Sequence, residues 1–275
     1  MTDRAGPDGR EAAHGQRAHG VRLEWGPTGA AAIAAGADVA VVVDVLSFTT
    51  TLTVAVERGM VVHPYRWRDE RAVSYAEELG AVLAIGRLEQ RSATPGATVS
   101  LSPAAMSAVA GGAGGAGRPG VERVVLPSPN GSAISFGLRD AGVQVVGACL
   151  RNRAAVGRWL ARRVAAGAVV AVVPAGERWP DGSLRPAAED LWGAGAVLDA
   201  LVLAGGGGLG PEAELARDAF LAVRDRLPER LLACAGGQEL AAIDFAADVA
   251  IAAELDVSTV VPVLGSGRDG FRDVG

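Results

Sequence analysis

The reading of this chain turns on VAVVVDVL at residues 39–46, followed at once by SFTTTLTVAVERG at residues 47–59. The first segment is β-branched and apolar at almost every position, so it has no polar face to offer to water. Such a run fits a strand covered on both sides. The hydroxyl-rich turn that follows leads into a helix expected over Thr49 to Arg58. Working outward, the same alternation recurs. Met60 to His63, Ala81 to Gly86, Val121 to Leu126, Val143 to Leu150 and Ala168 to Pro174 read as strands. Asp69 to Leu79, Ser132 to Asp140, Asn152 to Ala166 and Ala187 to Leu203 read as helices, and a final strand is expected at Thr259 to Val263 after several more helices. Strands that alternate with helices predict a three-layer α/β/α fold around a largely parallel or mixed sheet.

The 275 residues suffice for one large core, placed here at 21–275 behind a flexible polar tail at 1–20. GGAGGAGRPG at 111–120 and the glycine run at 205–210 read as flexible connectors. A net charge of -5 offers no basic field for a phosphate backbone, which argues against nucleic acid as partner. Every one of the 26 basic residues is arginine, which excludes lysine Schiff bases and a lysine-dependent phosphate loop. Cys149 and Cys234 read as reduced, packed thiols of a cytoplasmic protein. No apolar run has the length of a membrane span, and the first twenty residues lack the apolar centre of a signal peptide. The Ala-rich helices leave room for a homodimer.

Asp44 interrupts its strand near the carboxyl end, where open α/β sheets place their ligand crevice. A carboxylate there needs a partner, and two readings stand side by side: a metal ion or arginine, or the amides of the next loop. Ser47, Thr49, Thr50 and Thr51 crowd hydroxyls at a helix start, a setting that favours an oxyanion. PSPNGS repeats the arrangement after a second strand, with Ser128, Asn130, Gly131 and Ser132 as candidates. A third strand end supplies Glu177, followed by Glu189 and Asp190 at the beginning of an apolar helix. Glu89 follows a further strand and is a candidate ligand for a divalent ion. His63 reads as structural, and neither a serine-hydrolase elbow nor a dinucleotide fingerprint is present.

These residues, in this order, resemble the 2-phosphosulfolactate phosphatases, the ComB-like family. The resemblance runs from about Ala37 to Leu264 through VVVDVLSFTTTLTVAVERG, Ser102-Pro103, PNGSAI, CLRNRAAV, VVPAGE with EDLWGAG, and ELAAIDFAADVAIAAELDVSTVVPVL. It implies a Mg2+-dependent phosphatase acting on a small phosphorylated hydroxy acid. Carried onto this chain, it implies Asp44, Asn130, Glu177 and Asp190 as catalytic residues, with Asp44, Glu89 and Asp190 around the metal. Ser47, Thr49, Thr50, Thr51, Arg87, Ser128, Gly131, Ser132, Arg151 and Asn152 are then the expected substrate-binding set. The chain departs from the family where an arginine usually follows Asp-Val-Leu and another follows Asn-Gly; those places hold Ser47 and Ala133. The family's Gly-Glu-Arg stretch is represented by GRLEQR, so Arg87 is expected to supply charge after a shift. The competing reading is a non-catalytic or differently selective anion-binding protein on the same scaffold.

Overall fold

In the structure, a computed structural model that describes residues 7–66, 70–87, 89, 99–111 and 120–275, the segment that opened the sequence reading is an inner strand. Strand β2, Val39–Val43, pairs in parallel with β6, Gln144–Ala148, on one side and β7, Val170–Pro174, on the other. Val39, Val41 and Val43 join one apolar cluster while Ala40 and Val42 join a second on the opposite face. A strand flanked on both edges and covered on both faces explains why the sequence shows no alternation. It ends at Val43 because Asp44 and the turn that follows redirect the chain.

The main sheet runs in the order β1-β7-β2-β6-β10-β11-β3-β5-β4. Here β1 is Val21–Leu23, β3 Val61–Tyr65, β4 Val82–Leu83, β5 Arg123–Pro127, β10 Pro262–Leu264 and β11 Phe271–Asp273, while β8, Glu177–Arg178, and β9, Leu184–Arg185, pair with each other as a separate antiparallel ribbon. Strands β1, β7, β2 and β6 form one parallel block, and β3, β5 and β4 another. Three successive antiparallel pairings through the β10–β11 hairpin join them, so the blocks run in opposite senses. The sheet is therefore mixed. Helix α3, Phe48–Glu57, lies across the seam, packing on β6, β10, β11 and β3, with Leu52 and Phe48 against Phe271 and its neighbours.

One outer layer holds α2, Gly26–Ala34, α3, and α6, Gly131–Asp140. The other is built from α7, Arg153–Ala165, α8, Ala188–Leu203, and α9, Pro211–Leu221, followed by the short helices α10 at Leu227–Ala233, α11 at Ala235–Ala242 and α12 at Ala246–Ala252. Among the described residues there are also α1, Pro7–His14, α4, Glu70–Leu79, and α5, Pro103–Ser107, with Arg87 and Glu89 helical and a 3-10 turn at Arg224–Arg226.

Three expectations change. The segment before residue 20 is not simply a tail: it contains α1, and buried Gln16 exchanges hydrogen bonds with both backbone groups of Leu23. The glycine run at 205–210 is tied to β1, where Val21 donates to Gly208 and Gly210 donates to Val21, so backbone pairing fixes what composition read as loose. β1, α2 and β11 went unrecognised because three-residue strands and an alanine-rich helix leave little periodic signal. The connector at 112–119 and Asp69 lie outside the described residues. Among the described residues no helix is long and apolar enough to cross a membrane.

The packing of α8 on α9 gives a direct check. A Cβ on Gly195 would lie 1.9 Å from the Ala216 carbonyl oxygen, a backbone atom that cannot swing aside. Gly195→Ala is expected to lower stability by about 1–3 kcal/mol or more. Gly137→Ala on α6, where nothing lies within 4 Å, is expected to raise it by about 0.5–1 kcal/mol. Thermal or urea denaturation of the two variants measures the contrast.

Candidate functional site

Asp44 sits directly beyond β2 and is 5% exposed. Its Oδ1 accepts the Phe48 amide at 3.1 Å and its Oδ2 the Gly131 amide at 2.9 Å, so one carboxylate ties down the starts of α3 and α6. The approach is close enough to demand glycine. A Cβ at position 131 would meet Asp44 Oδ2 at 2.7 Å and the Phe48 ring at 2.4 Å. Thr49 completes the turn, accepting the Asp44 amide and donating to the Asp44 carbonyl.

A second aspartate performs the same task for the neighbouring strand end. Asp190, in the first turn of α8, accepts the Val45 amide on Oδ1 and the Gly176 amide on Oδ2, both at 2.8 Å. Glu177 follows Gly176, and its Oε2 accepts the Asn130 side-chain amide at 2.9 Å. Glu189, also buried, lies against Gly236, whose added Cβ would come within 2.3 Å of Glu189 Oε1. The turns after β2, β5 and β7 thus meet, although β5 belongs to the other parallel block. Helix α6 makes this possible, because it packs on β2, β3 and β6 together.

Asp44, Glu189 and Asp190 are buried and Glu177 half-buried, and in these surroundings the proton affinities of Asp44, Asp190 and Glu177 are raised. Burial, then repulsion from Asp44 and Glu189, holds the Asp190 carboxyl well above the usual range. Burial also raises Asp44, against the pull of its two amides and of the Arg87 guanidinium. Glu177 is pushed up to about 7, chiefly by burial and then by Asp44, with Asn130 pulling the other way. Cys234, whose burial and nearby Glu189 push it up to about 12, is a thiol at neutral pH and has no nucleophilic standing here.

The structure sorts the remaining sequence candidates by contact. Arg87 reaches the site, donating from Nη2 to the Ser47 hydroxyl, and Ser47 in turn donates to the Leu101 carbonyl. Ser128 stands beside Asn130, whose amide it accepts. Thr49, Thr50, Thr51 and Ser132 are fully buried and donate to the carbonyls of Asp44, Val45, Leu101 and Leu126. Their hydroxyls satisfy main-chain acceptors that would otherwise be stranded in the core, which corrects the expectation that they face an oxyanion. Arg151 pairs with Glu57 and Glu254, and Asn152 bonds the Cys149 amide and the Gly147 and Val260 carbonyls, so neither is brought to the carboxylates. Glu89 is exposed and accepts the Gly86 amide within its own turn. His63 is buried in β3 beside Arg123, Arg272 and Asp269.

Two cavities adjoin these turns. The smaller, about 230 Å3, is lined by Asn130, Glu177, Arg178, Trp25, Ala133 and Leu184 among others, so Glu177 opens onto it while Asp44, Asp190 and Arg87 lie outside its lining. The larger, about 480 Å3, lies between α2 and α6 and is walled by Ala, Gly, Pro, Ile, Leu and Val alone. The smaller cavity has the ionisable side chains Glu177 and Arg178 in its wall, whereas the larger has no polar side chain. The oxygen donors of Asp44 and Asp190 suit a hard cation, whose charge would relieve the repulsion that Asp44 exerts on Asp190. Among the described residues no three His, Cys, Asp or Glu side chains converge as a ready-made metal cage. Mg2+ does not ask for one, since it is commonly bound by one or two carboxylates together with waters and substrate phosphate.

Asp248 and Ser102 are site neighbours that the sequence reading missed as such. Asp248 accepts from Arg87 and from the Ser102 hydroxyl, and an acid inside the apolar AADVAIA was the available signal.

Residues 30–267 match a family model described as 2-phosphosulpholactate phosphatase. A relative from Deinococcus radiodurans named "Probable 2-phosphosulfolactate phosphatase" is 32% identical over 234 residues, covering 84% of this chain and 90% of that protein.

The shift of Glu177 has a measurable consequence for stability. Folded Glu177 keeps a proton between the ordinary 4.5 and about 7 that the unfolded chain has already released. Its contribution is therefore full below about pH 4.5 and is lost as pH rises through 7, a fall of roughly 3 kcal/mol. Asp44 and Asp190, both raised, act with the same sign. Glu177→Gln is expected to flatten the decline in stability between pH 4.5 and 7, as read by urea midpoints across that window; an unchanged slope contradicts the assignment.

Proposed function

Because this chain belongs to the 2-phosphosulpholactate phosphatase family, we propose that the turns after β2, β5 and β7 form its catalytic centre and act on a small phosphorylated hydroxy acid such as 2-phosphosulfolactate. The observation that carries this reading is the meeting of Asp44, Asn130, Glu177 and Asp190 from four separate stretches of chain. Arg87 supports it from outside that set. The family's usual arginine position holds Ser47, and the Arg87 guanidinium reaches that serine hydroxyl from another segment of the chain. Charge missing at one point of the sequence is thereby returned at nearly the same point in space.

Arg87, together with the amide-rich starts of α3 and α6, binds the phosphoryl group and offsets its charge. Mg2+, which Asp44 and Asp190 would hold, would polarise a phosphoryl oxygen and orient water when bound, leaving Glu177 free to carry a proton. Asp44 has an amide on each oxygen, which fixes its orientation and lowers its nucleophilicity. That favours attack by water over attack by the carboxylate. Glu177, protonated up to about pH 7 and oriented by Asn130, gives its proton to the leaving ester oxygen. The water oxygen forms the new bond to phosphorus, the ester P–O bond breaks with its electron pair on the alkoxide, and the proton released by the water restores Glu177 through solvent. A reducing cytoplasm as its compartment fits the two unpaired thiols, Cys149 and Cys234.

A panel of phosphorylated three-carbon acids, including 2-phosphosulfolactate, assayed with and without Mg2+, tests the reading. Phosphate release that requires Mg2+ is the expected result, and no release from any member defeats it. Glu177→Gln is expected to lower kcat by about 10²–10⁴-fold. Asp44→Asn places an amide N–H against a main-chain N–H. It is therefore expected to cost about 1–3 kcal/mol of stability while also abolishing Mg2+ dependence. A destabilised but fully Mg2+-dependent Asp44→Asn enzyme would remove Asp44 from the metal.

A further inference from the structure

Asp248 is fully buried in α12, an apolar helix from the far end of the chain, where an unpaired carboxylate is costly. Its Oδ2 accepts Arg87 Nε at 2.6 Å, while its Oδ1 accepts the Ser102 hydroxyl and the Ala104 amide. The carboxylate is thus held on one side by α5 and grips a guanidinium on the other. Arg87 itself is mostly covered, its side chain 16% exposed, with the Phe245 ring 5.8 Å from its central carbon. From that grip Nη2 reaches Ser47, three residues beyond Asp44.

We propose that Asp248 is the positioning residue of this site: by holding the Nε edge of Arg87 it aims the guanidinium's terminal nitrogens at Ser47 and at the phosphoryl group bound beside Asp44. The inference rests on the phosphate reading given above. A guanidinium is a planar fork, so fixing Nε fixes both Nη groups at once. Arg87 opens a helical turn directly after Gly86, and at that position its long side chain takes its direction from the groups it meets rather than from a preceding turn. Asp248 supplies that direction, and Ser102 keeps Asp248 from turning. The residue touches neither substrate nor reacting atoms, and its effect passes entirely through Arg87.

Inorganic phosphate, the product common to every candidate substrate, is the probe, with its affinity measured by competitive inhibition and by calorimetry on the full chain. Arg87→Ala is expected to weaken phosphate binding by about tenfold or more. Asp248→Asn is expected to weaken it by a similar factor, and the double variant to lose nothing beyond Arg87→Ala alone. Free guanidinium ion is expected to restore phosphate binding to Arg87→Ala but not to the double variant, a response that a purely structural Asp248 would not give. Arg87→Lys keeps the charge without the fork and is expected to bind phosphate as poorly as Asp248→Asn. Unchanged phosphate affinity in Arg87→Ala overturns the phosphate reading and this proposal with it. Weak binding in Arg87→Ala together with wild-type or fully additive behaviour in Asp248→Asn overturns the positioning role and leaves the site standing. Should Asp248→Asn fail to fold, wild-type phosphate affinity in Arg87→Lys overturns it equally.

Discussion

The carboxylate of Asp44 joins three elements that otherwise have no reason to meet. It stands at the end of a strand buried on both faces and accepts the first amides of two helices, one from the next turn and one that begins 87 residues later. Charged acceptors on helix-start amides are among the stronger hydrogen bonds a protein can make, and they use the positive ends of the helix dipoles. Asp190 repeats the device on the adjoining turn, with amides from Val45 and Gly176. The two aspartates brace the loops of the proposed catalytic centre and at the same time bring acidic groups into it.

This double use creates the electrostatic character of the site. Bracing demands burial, burial raises proton affinity, and Asp44 and Glu189 raise that of their neighbours. Glu177 is the member with one oxygen left to chemistry and a value near neutrality, a combination suited to handling protons at physiological pH. Arg87 is a cation whose charge is felt at Asp44, and its guanidinium is anchored by Asp248. The carboxylates are thus set by main-chain amides and the arginine by another carboxylate. Main-chain amides, some of them distant in the chain, fix the acids, and a buried carboxylate fixes the guanidinium.

Much of the architecture was legible in the residue order. A valine run without alternation fits a strand between two others, and Val39–Val43 pairs on both edges. Asp44, Asn130, Glu177 and Asp190 were legible as acids and amides at strand ends, where side chains of those types are conspicuous against apolar surroundings. The threonines were legible as a cluster but not in their direction. Hydroxyls at a helix start can face a ligand or turn back to a carbonyl, and composition is the same in both cases. Thr49, Thr50 and Thr51 turn back.

What the sequence by itself determined is everything carried by neighbours in the chain: the alternation of strands and helices, the two-sided burial of β2, the family, and the acids that end the strands. Those features depend on local periodicity and on residue type, which one chain displays directly. Tertiary structure alone decided that two parallel blocks of opposite sense would bring their turns to one place, that Arg87 rather than Arg151 would stand beside Ser47, and that Asp248 would hold it there. A contact between residues 87 and 248 leaves no trace in the spacing of either. It comes into being only when the core closes and a buried carboxylate must find a cation within reach.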